Sequence, residues 1–449
     1  MDIFRAYDIR GSYPSQLNEE IAYKIGRAFV AFLNAKNVLV GRDCRLSSPE
    51  LHKSLINGIL DQGADVIDIG LTDINAFYYA VYKLKAESGI MITGSHNPKE
   101  DNGFKLVKEK SIPISDQNGI LDIKSLVERN KFDSRNKEGG KKKGKLKSKK
   151  NIHKDFLKTI LNYVDYKTIA PLKVVLDPGN GTAQIILDEL IKKLKCSFIK
   201  MNFKIDGNFP GRGANPWINH NAVTEAVKNE KADLGIAWDG DADRIFFIDE
   251  KGKFIPGDFI TGLLSKIILK NPAETPFSIV YDLRSSHYVK DTIKKNNGNP
   301  VICKVGHSFI KHMMRNNKAV FAGEVSGHYY FKYEDLYCEN SFFVFLNILK
   351  IMSQEKKKIS ELLEDTKGYF ISGEISSEVE DKEHVLRKLE MKYRDGKINK
   401  LDGITVEYSD WWFNVRPSNT ESLIRLNLEA NSKELMEKKE KEVLAVIRS

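Results

Sequence analysis

Two short segments of the 449-residue chain carry side chains suited to group-transfer chemistry. Residues 93–98, Thr-Gly-Ser-His-Asn-Pro, offer the hydroxyl of Ser95. Residues 239–244, Asp-Gly-Asp-Ala-Asp-Arg, offer three carboxylates at alternate positions. A serine hydroxyl can carry a phosphoryl group covalently, and carboxylates bind the hard divalent cation that such transfers use. The two segments together predict phosphoryl transfer by way of a phosphorylated serine.

The loop around Ser95 differs from that of a serine hydrolase. A lone serine after a strand is most often a helix cap, but Gly94 permits close backbone approach and Pro98 fixes the turn. We therefore expect the loop to present the Ser95 hydroxyl rather than bury it. The Gly-x-Ser-x-Gly elbow of α/β-hydrolases is absent. The adjacent His96 is not expected to turn back and serve as the base for Ser95, so a Ser-His-Asp hydrolase is disfavoured.

The three carboxylates of residues 239–244 are expected to converge on one hard cation, because alternate residues of an extended segment face the same side. The competing interpretation is a calcium EF-hand loop, in which Glu250 would supply the twelfth-position ligand. However, Arg244 stands where that loop needs glycine. The flanking residues 234–238 and 245–248 also have the pattern of strands rather than helices. Magnesium, which prefers oxygen ligands, is the predicted ion.

Three further polar segments carry weaker signals. Residues 416–421, Arg-Pro-Ser-Asn-Thr-Glu, suit a phosphate or an ordinary polar turn, and Arg416 and Arg425 add more charge than a turn requires. Residues 323–328, Gly-Glu-Val-Ser-Gly-His, follow a predicted strand and have donors and acceptors that suit sugar hydroxyls. His307 is a candidate site residue or simply the first residue of a helix.

Hydrophobic periodicity indicates the elements that must position these segments. Up to residue 92, helical patterns alternate with short buried strands, the last of which ends at the serine loop. The alternation restarts before the acidic segment and again beyond Gly257. Such alternation predicts mostly parallel α/β sheets, which bind ligands at the carboxyl ends of their strands. Residues 405–426 have the pattern of antiparallel strands and precede a helical pattern over 433–447, which indicates a smaller α+β domain.

The composition is that of a globular protein, with 41% hydrophobic and 29% charged residues. No apolar run approaches the roughly 20 residues of a membrane-spanning helix, and the first residues lack signal-peptide features, so we predict a cytoplasmic protein without a membrane partner. The four cysteines have neither zinc nor disulfide spacing. Much of the net charge of +10 lies in residues 135–150, a lysine-rich run without aromatic residues. We interpret this run as a solvated linker rather than a nucleic-acid-binding tail.

Six segments, taken in order, resemble the motifs of the α-D-phosphohexomutase superfamily, and of its phosphomannomutase/phosphoglucomutase branch in particular. They span essentially the whole chain and are residues 7–11, 93–98, 102–105, 239–244, 323–328 and 416–420. The resemblance implies three similar α/β domains with mixed, mostly parallel sheets and a C-terminal α+β domain around a central cleft. We therefore expect four domains, with a serine loop, a metal loop, a sugar loop and a phosphate loop respectively. They cover residues 1–150 including the basic linker, 151–252, 253–366 and 367–449.

The resemblance also implies a role for individual residues. Catalytic roles are expected for Ser95, His96, Arg10, Lys105, Arg244 and His307. Of these, Lys105 and His307 are the candidates for proton transfer, and His96 would support the serine loop. Magnesium would be held by Asp239, Asp241, Asp243 and an oxygen of phosphorylated Ser95. Substrate contacts are expected from Arg284, Glu324, Ser326, His328, Arg416, Ser418, Asn419, Thr420 and Arg425.

The reaction implied by the resemblance is the interconversion of hexose 1- and 6-phosphates through a bound 1,6-bisphosphate, with a hexose 1,6-bisphosphate as activator. A monomer or weak homodimer is expected. Glu324 and Ser326 resemble the mannose/glucose branch, whereas Val325 stands where the glucosamine branch has glutamine. Arg284 replaces the lysine of the dual-specificity pattern, which leaves the choice between mannose and glucose open. A phosphoglucosamine mutase, or a magnesium-dependent sugar phosphatase that releases phosphate, remains the alternative.

Overall fold

The structure, a computed structural model, describes residues 3–132, 143–270, 276–418 and 423–449. The chain forms two compact units. The first unit comprises Met1–Pro256 and Ser326–Ile359, and the second comprises Gly257–Val325 and Ser360–Ser449. None of the helices in the described ranges has the length and apolar character that crossing a membrane demands.

The α-helices and β-strands alternate along most of the described chain, as the periodicity predicts. The helices are α1 Glu19–Leu33, α2 Ser48–Asp61, α3 Ile74–Lys83, α4 Ile120–Arg129, α5 Ile152–Tyr163, α6 Gln184–Leu190, α7 Asn221–Glu230, α8 Gly257–Leu269, α9 His287–Lys295, α10 His307–Asn316, α11 Ser341–Glu355, α12 Ile359–Leu362, α13 Lys382–Lys392 and α14 Lys433–Ile447. The strands are β1 Ile9–Ser12, β2 Asn37–Arg42, β3 Asp65–Leu71, β4 Ser88–Ile92, β5 Asp101–Lys108, β6 Leu146–Ser148, β7 Lys173–Asp177, β8 Ser197–Lys200, β9 Leu234–Trp238, β10 Ile245–Ile248, β11 Phe254–Ile255, β12 Ser278–Asp282, β13 Asn299–Cys303, β14 Phe321–Gly323, β15 Tyr329–Tyr333, β16 Leu336–Glu339, β17 Phe370–Glu378, β18 Lys397–Asn399, β19 Ile404–Glu407, β20 Trp411–Pro417 and β21 Leu423–Ala430.

Local signals account for where several helices begin. The side chain of Asn18 accepts a hydrogen bond from the backbone N–H of Ile21 and so caps α1, whose first turn carries Glu19 and Glu20. Such a cap satisfies an otherwise unpaired helix donor, and the acidic residues favour the positive end of the helix dipole. The Asp73 side chain caps α3 in the same way.

The first sheet has the strand order β1-β5-β4-β2-β3-β6. Strands β4, β2, β3 and β6 run parallel, and β5 pairs antiparallel with both β4 and β1. Every residue of β4 is buried, which suits a central strand covered on both faces. The serine loop follows the carboxyl end of β4, as the sequence predicts.

The second sheet has the order β11-β10-β9-β7-β8, with β9, β7 and β8 parallel. Strand β10 returns antiparallel to β9, so that Trp238 lies opposite Ile245. Residues 239–244 are therefore the turn of a β-hairpin, here called the acidic hairpin. The strands on both sides rule out the EF-hand alternative, which needs a helix before and after its loop.

In the second unit, β13, β12 and β14 form parallel pairs, and Arg284 follows the carboxyl end of β12. The C-terminal sheet is antiparallel in the order β17-β21-β20-β19-β18. Its apolar face packs with residues of α13 and α14, among them Leu389 and Val443. This confirms the predicted change from parallel α/β architecture to an antiparallel α+β domain.

The interpretation of the lysine-rich run as a linker that does not pack is wrong for its described part. Leu146–Ser148 forms β6, the edge strand that pairs parallel with β3. All three β6 residues are exposed, so the side chain of Lys147 stays in solvent while the backbone supplies the pairing. Charged side chains on an edge strand also discourage further strand addition. Residues 133–142 lie outside the described residues.

Candidate active site

The loop after β4 turns Ser95 inward, toward the acidic hairpin. Ser95 has a positive φ of 49°, and its backbone N–H donates to Thr93 Oγ1 at 2.8 Å. Its side-chain Oγ donates to Asp239 Oδ2 at 3.1 Å. With 1% exposure the residue is buried, so the expectation that the loop presents its hydroxyl to solvent is wrong. The hydroxyl is instead presented to a carboxylate, because the left-handed backbone turns the loop toward the hairpin.

The buried guanidinium of Arg45 holds this loop in shape. Its Nη atoms donate to backbone carbonyls of the loop, those of Ser95 at 2.9 Å, Asn97 at 2.8 Å, Asp101 at 2.8 Å and Pro98. Its Nε lies 3.2 Å from Asp43 Oδ2. A Cβ at Gly94 would lie 2.5 Å from the guanidinium, so the glycine allows the close approach. Sequence reasoning missed Arg45, although it follows the carboxyl end of β2, where a functional side chain could have been sought.

The carboxylates of the acidic hairpin, Asp239, Asp241 and Asp243, come together as their alternate spacing in the sequence predicts. One carboxylate oxygen of each lies within 4.8 Å of the others, and all three residues are buried. Helix starts hold the hairpin backbone: Ile74 N–H donates to the Asp241 carbonyl at 3.0 Å. The Ala242 carbonyl accepts from both Asn75 Nδ2 and Ser341 Oγ at 2.8 Å. The arrangement is thus anchored by α3 and α11, which are remote from it in sequence.

Lys105 lies among these carboxylates. Its Nζ donates to Asp241 Oδ2 at 3.1 Å and to Asp243 Oδ2. Burial opposes its charge, but Asp241 and Asp243 outweigh that effect and raise the pKa of Lys105 above its usual value. The ammonium therefore partly neutralises the cluster.

The pKa values of Asp239 and Asp243 are shifted in opposite directions. Burial, followed by the charges of Asp243 and Asp241, raises the pKa of Asp239 well above its ordinary value. For Asp243, burial acts in the same sense, but Lys105 and His328 outweigh it and hold the pKa well below the usual range. Asp241 Oδ1 is buried and accepts no hydrogen bond from the described residues. Crowded, desolvated carboxylates with an unsatisfied oxygen fit a divalent cation, which would supply the missing positive charge.

Two predicted substrate contacts, Ser326 and His328, also lie at the acidic hairpin. Ser326 Oγ is 3.0 Å from His328 Nδ1, and His328 Nε2 is 3.3 Å from Asp243 Oδ1. Arg244 Nε donates to His328 Nε2 at 3.3 Å. The first unit therefore joins these residues with the serine loop and the carboxylates.

Two further predicted catalytic residues, Arg10 and His96, also lie at the serine loop. Arg10 donates to Asn97 Oδ1 and to Asp8 Oδ2, both at 2.7 Å, and so reaches the serine loop. His96 Nδ1 lies 3.3 Å from Ser95 Oγ, so the ring does turn back toward the hydroxyl, contrary to that part of the expectation. That the histidine does not serve as the base for Ser95 stays a prediction. Burial, with Arg244 and Arg10, lowers the pKa of His96 well below its ordinary value and keeps the ring neutral.

A second group, the arginine cluster, lies in the second unit and consists of Arg284, Arg416, Arg425 and Glu374. Arg416 and Arg425 are opposite each other on β20 and β21. Glu374 Oε2 accepts from Arg416 Nη2 at 2.9 Å and from Arg284 Nη1 at 3.2 Å, and Glu374 Oε1 lies 3.7 Å from Arg425 Nε. Burial opposes ionisation of Glu374, but the three guanidiniums outweigh it and lower its pKa to about 2. Sequence reasoning missed Glu374, and no local motif marks it.

The remaining predicted contacts also belong to the second unit. Glu324 is buried, and its Oε1 accepts from Gly306 N–H at 3.1 Å, next to His307, the first residue of α10. The Ser418 carbonyl accepts from Lys382 Nζ at 2.8 Å. Asn419 and Thr420 lie outside the described residues. The predicted sugar segment 323–328 is thus divided between the two units, with Glu324 in one and Ser326 and His328 in the other.

Four family models, those of the phosphoglucomutase/phosphomannomutase domains, match consecutive parts of the chain. The α/β/α domains I, II and III match residues 1–134, 154–252 and 256–369, and the C-terminal domain matches residues 374–446. Among curated relatives, a phosphomannomutase of Escherichia coli is 37% identical over 458 residues, covering 99% of each chain. A protein described as phosphohexose mutases of Xanthomonas campestris pv. campestris is 38% identical over 455 residues, again covering 99% of each.

Solved structures agree with this match. A phosphoglucomutase/phosphomannomutase family protein of Burkholderia thailandensis has a TM-score of 0.88 at 29% identity, covering 99% of this chain and 97% of that chain. An N-acetylphosphoglucosamine mutase of Aspergillus fumigatus, solved with GlcNAc-6P and magnesium, shares the fold with a TM-score of 0.59 at 14% identity and coverages of 98% and 94%. With four domain models matched in order and relatives similar over their full length, the chain belongs to the phosphoglucomutase/phosphomannomutase family of isomerases.

Proposed function

We propose that this enzyme is a phosphomannomutase that interconverts mannose 1-phosphate and mannose 6-phosphate, and also acts on the glucose phosphates, through phosphorylated Ser95. The observation that carries the proposal is the contact of Ser95 Oγ with Asp239 in a buried site that also contains Asp241 and Asp243. A serine hydroxyl beside a cation site has what a covalent phosphoryl carrier requires: a nucleophile and a means of neutralising the transferred charge. The names of the relatives support the same sugar class.

Magnesium would be held by the three aspartates together with an oxygen of phosphorylated Ser95. When bound, Mg²⁺ would neutralise negative charge on the oxygens of the phosphoryl group while that group passes between Ser95 and the sugar. The cation would also take over the role that Lys105 has here, since both serve as the positive charge among the carboxylates. The structure of the Aspergillus fumigatus relative with magnesium supports this choice of ion.

The chain's own residues would position and protonate the reacting groups. The guanidiniums of Arg10 and Arg244 lie at the serine loop and the acidic hairpin respectively, where they would stabilise charge on the phosphoryl group in the transition state. The raised pKa of Lys105 favours its protonated form, which suits an acid that donates to the leaving oxygen more than a base. The neutral ring of His96 would orient the Ser95 hydroxyl when the serine is unphosphorylated.

In the proposed cycle, the Ser95 phosphoryl group passes to the free hydroxyl of a hexose monophosphate, whose proton is lost to a base for which His307 is the candidate. The bound hexose 1,6-bisphosphate turns over and returns its other phosphoryl group to Ser95, and exogenous bisphosphate acts as activator. Glu324 would contact sugar hydroxyls, and Arg284, Arg416, Ser418, Asn419, Thr420 and Arg425 would bind the distal phosphate. We further propose the four-domain division given above, a cytoplasmic location, and a monomer or weak homodimer.

A coupled assay tests the proposal. Mannose, glucose and glucosamine 1-phosphates are supplied with Mg²⁺, with and without catalytic glucose 1,6-bisphosphate, while 6-phosphate products and free phosphate are measured together. Bisphosphate-stimulated formation of mannose 6-phosphate without phosphate release is the expected result. Stoichiometric phosphate release would identify a sugar phosphatase, and preference for the glucosamine substrate would identify a phosphoglucosamine mutase.

A further inference from the structure

Glu374 occupies the centre of the arginine cluster, although no motif assigns it a role. It lies on β17, where the pairing with β21 shifts register between Ile371 and Glu374, and the intervening Gly373 has a φ of 72°. A bulge of this kind re-aims the side chain that follows it. Here the redirected carboxylate meets Arg284, Arg416 and Arg425.

The ion pairs around Glu374 include a second carboxylate. Arg284 is also paired with Asp282, from Arg284 Nε to Oδ1 at 3.1 Å and from Nη2 to Oδ2 at 2.8 Å. Arg416 and Arg425 both form an ion pair with Glu374. A phosphate that binds these two guanidiniums must therefore compete with the Glu374 carboxylate.

A phosphate monoester near neutral pH carries close to two negative charges and suits planar guanidinium donors. A dianion that replaced Glu374 between Arg416 and Arg425 would balance both guanidiniums. The Arg416 Nε–H is buried and donates to no acceptor among the described residues, so it has a hydrogen bond left to give to such a ligand. With a pKa of about 2, Glu374 is ionised at any working pH and acts as an anion throughout.

We propose that Glu374 is a positioning residue that acts as an internal anion: it holds Arg416 and Arg425 in place without ligand and competes with the ligand phosphate for them. The inference rests on the proposed function, because it takes that phosphate to belong to a hexose phosphate. The competition limits how long the phosphate is retained. A bisphosphate that must turn over within the site has to release its phosphate group from the arginines. An arginine cluster without a carboxylate would slow that release.

The decisive variant is Glu374→Gln, which keeps the shape and one acceptor oxygen but removes the charge. The full-length Glu374→Gln enzyme is titrated with inorganic phosphate in a calorimeter. It is expected to bind phosphate about tenfold more tightly than wild type, because one opposing charge is removed. The double variant Glu374→Gln/Arg416→Gln should lose this gain, which would locate it in the arginine cluster. The matched control is Glu437→Gln, which removes an equal charge from the exposed face of α14 and should leave phosphate binding unchanged.

Steady-state kinetics separates competition from a structural role. In Glu374→Gln, KM for the hexose phosphate and kcat should fall together, because stronger retention slows turnover of the intermediate and product release. Glu374→Asp keeps the charge and should stay within about twofold of wild type in phosphate affinity. A folded Glu374→Gln enzyme with unchanged or weaker phosphate binding would overturn the inference, and so would equal tightening in Glu374→Asp.

These outcomes are distinguishable from failure of the proposed function, since phosphate binding is measured without turnover. Tighter phosphate in Glu374→Gln with no mutase activity in wild type would contradict the mutase proposal alone. Normal mutase activity with no change in phosphate affinity would contradict the role of Glu374 alone.

Discussion

The acidic hairpin and the arginine cluster are built in opposite ways. In the hairpin, three carboxylates lie together, and two of them, those of Asp241 and Asp243, pair with the ammonium of Lys105. In the arginine cluster, three guanidiniums surround the single carboxylate of Glu374. Each group contains an internal counterion that lowers the self-repulsion of the like charges around it. The ligand-free protein thus places its own charged side chains, Lys105 and Glu374, where a cation and a phosphate are proposed to bind.

The two regions also differ in their scaffold. The carboxylates stand on a hairpin turn, and the facing serine loop is shaped by the guanidinium of Arg45. Two of the arginines stand on paired antiparallel strands, where cross-strand register alone brings Arg416 opposite Arg425. A turn and a loop allow exact placement of reacting groups only when buried side chains hold them, whereas a sheet positions its residues through backbone pairing. We expect the chemistry to depend on the first region and binding to depend on the second.

The largest effect is expected for Ser95→Ala, which removes the proposed phosphoryl carrier from the first region. Mutase activity should fall at least about a thousandfold, because the hydroxyl that carries the phosphoryl group in the proposed cycle is gone. The coupled mutase assay measures the loss, and mass spectrometry of the wild type should find phosphoserine at this position. Ser15→Ala, at an exposed site, is the control. Full activity of Ser95→Ala would remove the basis for assigning chemistry to this region.

The next largest effect tests the loop scaffold. Arg45→Met keeps an unbranched apolar stem but removes the guanidinium, which leaves Asp43 and the loop carbonyls without their buried partner. Unfolding free energy, measured by urea denaturation, should fall by about 3 kcal/mol, because a buried charge and several acceptors become unpaired. Arg129→Met on the exposed end of α4 is the matched control and should change it little. Equal stabilities of the two variants would show that the loop does not need the guanidinium.

Asp241→Asn tests whether Mg²⁺ binds at the acidic hairpin rather than depending on the arginine cluster. It preserves the shape of the side chain while removing one of the carboxylates that crowd around Lys105. Calorimetric Mg²⁺ affinity should fall about thirtyfold, because a neutral amide is a poorer ligand for a hard cation. Arg416→Gln should leave Mg²⁺ affinity intact. If both variants bound Mg²⁺ as wild type does, the acidic hairpin would not be the metal site.

The smallest effect concerns acid stability. Because the folded-state pKa of Glu374 is about 2, below the ordinary value of 4.5, its charge stabilises the fold above pH 4.5. That contribution disappears as pH falls from 4.5 toward 2, since protonation then costs the folded state its ion pairs. Wild type should exceed Glu374→Gln in unfolding free energy by about 2 kcal/mol at pH 6, a value allowing for partial solvent screening.

Urea denaturation at pH 6 and at pH 3 measures this difference, which should shrink at the lower pH. Glu437→Gln, from an exposed pair, should show no comparable dependence. A difference between wild type and Glu374→Gln that stayed constant from pH 6 to pH 3 would mean that the guanidiniums do not depend on an ionised carboxylate.

Much of the fold could be predicted from local patterns. The helix over 433–447 and the strand over 234–238 have the predicted bounds, because each combines clear periodicity with a nearby cap or turn. Strands β6 and β17 were not predicted, since their mostly exposed or half-buried side chains carry no period-2 signal and only pairing partners stabilise them. Strand β6, Leu-Lys-Ser within the lysine-rich run, shows how backbone pairing can form a strand in a segment of unfavourable composition.

By itself the sequence determined the reacting groups, namely Ser95 in its loop and the three alternating aspartates, because their chemistry and spacing are local properties. Only the tertiary structure decided their surroundings. Arg45 around the loop carbonyls, Lys105 among the aspartates and Glu374 among the arginines join residues from separate parts of the chain. Such pairings depend on how strands and helices pack, and burial then determines the cost of every unpaired charge, so no local pattern could reveal them.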